Sequence, residues 1–278
     1  MKYDEGHRSD DIEDRRGQRG GGGGLRLGLG GLVIVGLLSL VFRTNLFALL
    51  GSDGGSAPPR PPAPGDDKLV GFVSFVLDDV QDTWAREFSK AGKRYERAKL
   101  VLFTDSTPSG GCGLGESAMG PFYCPGDEKV YLDLGFFHEL KSRFAAPGDF
   151  AQAYVIAHEI GHHVQKLLGT EEKLRSEQRA RPSDKNDLSV RMELQADCYA
   201  GVWAHSTSQR QLLDMGDVEE ALGAAAAVGD DRLQKQAGRA VNPERWTHGS
   251  SAQRVSWFKK GFTAGSIDGC DTFGAARP

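Results

Sequence analysis

Positive charge is not in excess in this 278-residue chain: 34 Lys and Arg face 38 Asp and Glu, a net of −4. With no basic stripe interleaved with aromatics in the C-terminal three quarters, general nucleic-acid binding is excluded. Cysteine is scarce, four in all. No C-x-x-C pair occurs, which argues against a cysteine-built structural zinc site. No glycine-rich loop follows a strand, and Gly20–Gly24 is low-complexity sequence, so no nucleotide cradle is expected. No segment repeats at a period of roughly 20–50 residues, which excludes a solenoid or propeller.

Long uncharged runs are also rare. Residues 27–42 form one, and after Arg43 the apolar character resumes at Leu46–Leu50. The run is slightly shorter than the ~20 residues a span needs, but Arg43 can snorkel to the interface. A signal peptide and an interfacial helix are the alternatives; with no A-x-A cleavage site following, a retained transmembrane anchor over 27–50 is expected. Arg15, Arg16, Arg19 and Arg26 precede it, whereas Arg43 and Arg60 follow. That bias puts the N-terminus in the cytoplasm and the rest of the chain beyond the membrane. Residues 1–26 then read as a flexible Gly-rich, charged tail and 51–66 as a Pro/Gly-rich linker. Residues 67–275 are long enough for one domain with a substantial core.

Residues 158–162 read His-Glu-Ile-Gly-His, an H-E-x-x-H pattern. Residues four apart share a helical face, so His158 and His162 can hold one metal ion while Glu159 reaches a water on it. Ala153, Ala157, Ile160, Val164 and Leu167 recur at helical spacing around the motif, with Asp149 as N-cap and Gly169 closing the end. The bland reading is a helix carrying two surface histidines.

A catalytic zinc site needs a third protein ligand and an open position. The H-x-x-G-x-x-H continuation is absent, so a metzincin arrangement is not expected. Glu193 is the better third ligand. Asp197, one turn later on the same face, is placed to accept the free ring N–H of His158. The competing reading is an exposed acidic face. Asn186 or Asp187 would cap this helix, with Ala196, Ala200 and Trp203 as its packed side.

His-Glu-Ile-Gly-His-His-Val-Gln at 158–165 with Glu-Leu-Gln-Ala-Asp at 193–197 resembles the gluzincin metallopeptidases. More closely, the chain is similar to the neutral zinc metallopeptidases that are single-span bacterial membrane proteins. Gly-Pro-Phe-Tyr-Cys-Pro at 120–125, the block at 130–137 and His-Gly-Ser-Ser-Ala-Gln-Arg at 248–254 carry that closer resemblance. It implies a zincin-like, mostly helical α+β domain that binds Zn2+ and hydrolyses peptide bonds of a peptide or unfolded protein. Glu159 is then the general base. His248 is the candidate oxyanion donor, because gluzincins bring a histidine or tyrosine to the metal from a downstream segment; Arg254 is a weaker candidate. A zinc-stabilised scaffold without turnover and a metal-free envelope interaction domain are the readings from other classes.

Four cysteines permit three connectivities. Cys112 and Cys124 bracket a Gly-rich loop and suit a short pair, leaving Cys198 and Cys270 to each other. Disulfides would require an oxidising compartment, periplasmic or extracellular.

The remaining elements are a first helix through Leu69, Phe72, Val76, Val80, Trp84 and Phe88, a strand over 99–104, a turn over 106–111, and a strand over 130–134. The last is a candidate edge for pairing with a peptide backbone. Asp217 with Glu220, and Ser250 with Gln253, are capping-box patterns before two further helices, the second ending at Gly265.

Overall fold

The computed structural model describes residues 1–17, 66–142, 144, 146 and 148–278. The expected anchor over 27–50, and the linker short of Asp66, lie outside the described residues. Among the described residues no helix is long and apolar enough to cross a membrane.

The fold is α+β and mostly helical. Helix α1 (Asp66–Lys90) follows the apolar spacing expected of it, and Val73, Val76, Leu77, Val80 and Trp84 are fully buried. A small sheet follows, built from β1 (Ile12–Asp14), β2 (Lys99–Phe103), β5 (Phe122–Cys124) and β6 (Lys129–Asp133) in the order β1-β2-β6-β5. β1–β2 and β2–β6 are parallel; β5–β6 is antiparallel. The expected turn over 106–111 is instead a hairpin, β3 (Ser106–Ser109) with β4 (Gly113–Glu116). Helix α2 (Gly135–Ser142) leads to the motif helix α3 (Asp149–Leu167). Then come α4 (Thr170–Ala180), α5 (Lys185–Gln209), α6 (Asp217–Ala227), α7 (Asp230–Gln236) and α8 (Ser251–Ala264).

Two glycines permit the helix contacts that assemble the centre. A Cβ on Gly161 would lie 3.1 Å from the Ala196 carbonyl oxygen, so the motif helix and α5 approach closely there. A Cβ on Gly261 would lie 1.9 Å from the Cys198 carbonyl oxygen, so only glycine allows α8 to sit against α5. Disulfide Cys198–Cys270 pins the segment after α8 to the same helix, and Cys112–Cys124 joins the hairpin to β5. Both pairings match the sequence expectation.

Several local expectations need correction. The strand over 130–134 is not an edge: β6 lies between β2 and β5, and β5 is the outer strand on that side. Residues 1–17 are not a flexible tail. β1 is hydrogen-bonded into the sheet, and Tyr3 packs edge-on against Phe72 with ring centroids 5.1 Å apart. Asp217 and Glu220 do not form a capping box; α6 starts after Gly216, and Glu220 instead accepts the Phe150 N–H at 3.1 Å. Gly148, not Asp149, is the N-cap of α3, and Asp184 precedes α5 ahead of Asn186 and Asp187. Ser250 and Gln253 do form the expected capping box, and Gly265 ends α8 in the left-handed region at φ 62°.

Candidate metal centre and active-site cleft

His158 and His162 project from one face of α3, as the four-residue spacing requires, with ring centroids 4.8 Å apart. Glu193 comes from the facing α5. Its carboxylate oxygens lie 3.3 Å from His158 Nε2 and 3.5 Å from His162 Nε2. One nitrogen from each histidine and one Glu193 oxygen all fall within 4.8 Å of one another.

The other ring nitrogens are already engaged. His158 Nδ1 lies 2.9 Å from Asp197 Oδ1, and His162 Nδ1 lies 2.9 Å from Gln165 Oε1. Each contact has an oxygen acceptor, so in the neutral ring Nδ1 carries the proton and the Nε2 lone pair is left for the shared point. Two imidazole nitrogens and a carboxylate oxygen converging in this way fit Zn2+, by donor type and by leaving room for water.

Asp197 is wholly buried and sits in a network that its spacing alone did not reveal. It accepts from the Tyr154 hydroxyl and from Arg254, at 2.8 Å from Nε and 2.9 Å from the terminal nitrogen. Burial opposes its ionisation, but Arg254 and His158 outweigh that and hold it below the usual carboxylate range. Arg254 is thus committed to Asp197 and is not the free oxyanion donor considered from the sequence. Burial disfavours a charged His158, yet Asp197 and Glu193 raise it to about 9. Burial also pushes Glu193 up, but His162 and His158 hold it far below its ordinary value.

Glu159 is 8 % exposed and faces the cleft. Burial raises its pKa, opposed by His158, His162 and a hydrogen bond from the main-chain N–H of Tyr123. A carboxylate moved toward neutrality in this way is suited to taking and returning a proton.

His248 enters from the loop before α8. Its Nδ1 lies 3.4 Å from Asp230, whose other oxygen accepts the N–H groups of Thr247, His248 and Gly249. Asp230 therefore fixes both the loop and the ring, and raises the His248 pKa through their hydrogen bond. His248, Glu159 and all three metal candidates line one cleft of about 650 Å³. Phe122, Tyr123, Met119, Phe136 and Leu233 give it apolar walls.

Tyr154, Gln165, Tyr123 and Asp230 were missed in the sequence. Gln165 had a signal, three residues after His162 on the same helical face. Tyr154 had the same kind of signal, four residues before His158 on the same helix, whereas Tyr123 and Asp230 come from distant segments.

A second carboxylate cluster, Asp149, Asp217 and Glu220, also has metal-like spacing. It carries the Met1 ammonium, 2.8 Å from Asp149 and 3.3 Å from Asp217, so a cation is already present.

Residues 1–273 match the family described as "Putative neutral zinc metallopeptidase". The chain is 50 % identical over 285 residues to "Uncharacterized protein YpfJ" of Escherichia coli K12, covering 99 % of each. It is 47 % identical over 193 residues to "Uncharacterized protein Rv2575" of Mycobacterium tuberculosis H37Rv, covering 66 % of this chain and 64 % of that one. No solved structure matches it.

Proposed function

Because the chain belongs to the neutral zinc metallopeptidase family, we propose that it is a membrane-associated zinc peptidase with a zincin-like catalytic domain. The observation that carries this is the convergence of His158 Nε2 and His162 Nε2 on the Glu193 carboxylate, at 3.3 and 3.5 Å, beside Glu159 in an open cleft. Zinc held by these three residues supplies Lewis acidity and a water whose pKa falls to about 7.

The chain's own residues do the rest. Glu159 takes a proton from the attacking water and returns it to the departing amine, so no net proton is consumed by the side chain. His248, held by Asp230, donates a hydrogen bond to the carbonyl oxygen as negative charge develops on it. Asp197 and Gln165 fix the two histidine rings. The outer strand β5 offers main-chain groups to an extended peptide, which would give sequence-tolerant binding.

Two disulfides support work outside the cytoplasm. The uncharged run at 27–42 supports attachment to a membrane.

The test is cleavage of an unfolded protein by the full-length zinc-loaded chain beside its Glu159→Gln variant. Cleavage by the parent alone is expected. A folded, zinc-loaded parent that cleaves nothing under any substrate offered would favour the scaffold reading.

A further inference from the structure

Residues 1–17 pack into one folded body with the described residues from Asp66 onward. β1 pairs with β2 through Ile12–Leu100, Glu13–Val101 and Asp14–Leu102. Leu100 N–H donates to Asp11 C=O and Arg15 N–H to Leu102 C=O, each at 2.8 Å. Ion pairs reinforce the strand: Lys99 to Asp11 at 2.8 Å and Lys129 to Glu13 at 2.5 Å. The chain leaves this body beside the point where it returns, since Arg16 and Asp66 form an ion pair at 3.3 Å.

Sheet hydrogen bonds and ion pairs of this length cannot be made through a bilayer some 30 Å thick. We infer that residues 1–17 and the catalytic domain occupy the same compartment, on one side of any membrane that the apolar run at 27–50 meets. A single crossing would part β1 from β2. Two crossings would need about 40 apolar residues, and the run falls well short of that.

Two of the four arginines behind the bias that suggested a cytoplasmic N-terminus are engaged in the fold. Arg15 pairs with Glu13 at 2.7 Å, and Arg16 with Asp14 at 2.7 Å as well as with Asp66. These two arginines serve the fold. The inference is independent of the catalytic reading and replaces the expected arrangement, in which the N-terminus and the domain lie on opposite sides.

The test uses the full-length chain in intact producing cells. Asp10→Cys and Lys259→Cys, made separately, are probed with a membrane-impermeant maleimide before and after permeabilisation. Both positions are exposed, and among the described residues no native cysteine is free. The expected result is matching behaviour: both label on intact cells, or both only after permeabilisation. One labelling on intact cells and the other only after permeabilisation would overturn the inference. Glu5→Cys with Ser256→Cys gives a second, independent pair of exposed positions.

Discussion

Tyr123 and His163 are joined by a 3.0 Å hydrogen bond that ties the middle of the outer strand β5 to the residue directly after the H-E-x-x-H motif. His163 Nε2 lies 2.7 Å from the Glu96 carbonyl oxygen and so must carry the ring proton. Nδ1 is therefore the acceptor and the Tyr123 hydroxyl the donor. Burial lowers the His163 pKa and keeps the ring neutral. The same Tyr123 turns its main-chain N–H toward Glu159. One residue thus sets the height of the strand over the cleft and touches the proposed base.

Removing the Tyr123 hydroxyl, as Tyr123→Phe, leaves a buried histidine nitrogen without its donor. The expected cost is about 1–2 kcal/mol of stability. On the proposed reading kcat/KM for extended peptides falls by up to about tenfold, while zinc content is unchanged. Peptide kinetics beside thermal unfolding and metal analysis check this; full activity in the folded variant would remove β5 from the site.

Glu193→Ala should abolish stoichiometric zinc, because it removes one of three converging donors. Asp197→Asn keeps all three but loosens His158, so zinc should bind about 10–100-fold more weakly. The Asn variant also leaves Arg254 buried without its counter-charge, at a cost of about 3–5 kcal/mol. Competition with a chelator ranks the two variants, and a Glu193→Ala protein still holding one zinc per chain would take Glu193 out of the ligand set.

His248→Ala should keep its zinc and lose about 10²–10³ in kcat, the range for one oxyanion donor. The Asp230 hydrogen bond raises the His248 pKa above 6.5. With Nδ1 given to Asp230, donation from Nε2 as well requires the charged ring. That contribution is present below the raised pKa and lost as pH rises through it. His248→Gln has a donor that does not titrate, so its pH profile should lack the parent's decline on the alkaline side.

The two disulfides close loops of unequal length, with sequence separations of 72 and 12. In the chain-entropy account the first stabilises by about 4 kcal/mol and the second by about 3 kcal/mol. Replacing Cys198 and Cys270 together should therefore lower stability more than replacing Cys112 and Cys124. Cys198 lies next to Asp197, so the first change should also weaken zinc binding. Denaturant unfolding of the two double variants tests the order.

Acid should release residues 1–17 before it unfolds the rest. Burial opposes ionisation of Asp11, but Lys99 and Arg97 hold its pKa below 3.8; Lys129 first, then Arg15, hold Glu13 below 4.5. These depressed values mean the stabilisation is complete above the unfolded pKa values and fades as pH falls through the folded ones, below about pH 4. Hydrogen exchange at Ile12–Asp14 should rise there ahead of exchange in α3. Simultaneous loss of protection in both would show that β1 is not a separately opening unit.

Local pattern made much of this protein readable. The pentapeptide spacing put His158 and His162 on one face because a helix repeats every 3.6 residues. The same rule paired Glu193 with Asp197. The apolar period of α1 and the Ser250–Gln253 capping box were visible because their physics acts within a few residues. The edge strand was misplaced because alternation reports burial of a face and says nothing of which neighbour lies beside it. Asp217 and Glu220 matched a capping box locally, but the start of α3 claimed Glu220 instead.

Donor identity and helical spacing within each of two helices were therefore enough to propose a His2Glu centre, although only packing brings Glu193 to His158 and His162. The long-range partners that hold that centre were not legible in this way. Arg254 reaches Asp197 across 57 positions, Tyr123 meets His163 across 40, and Lys129 meets Glu13 across 116. No period or composition encodes such contacts, because they arise only when separate segments are packed against one another. The docking of residues 1–17 is the clearest case: glycine and charge read as a solvated tail, and the pairing with β2 made it part of the sheet.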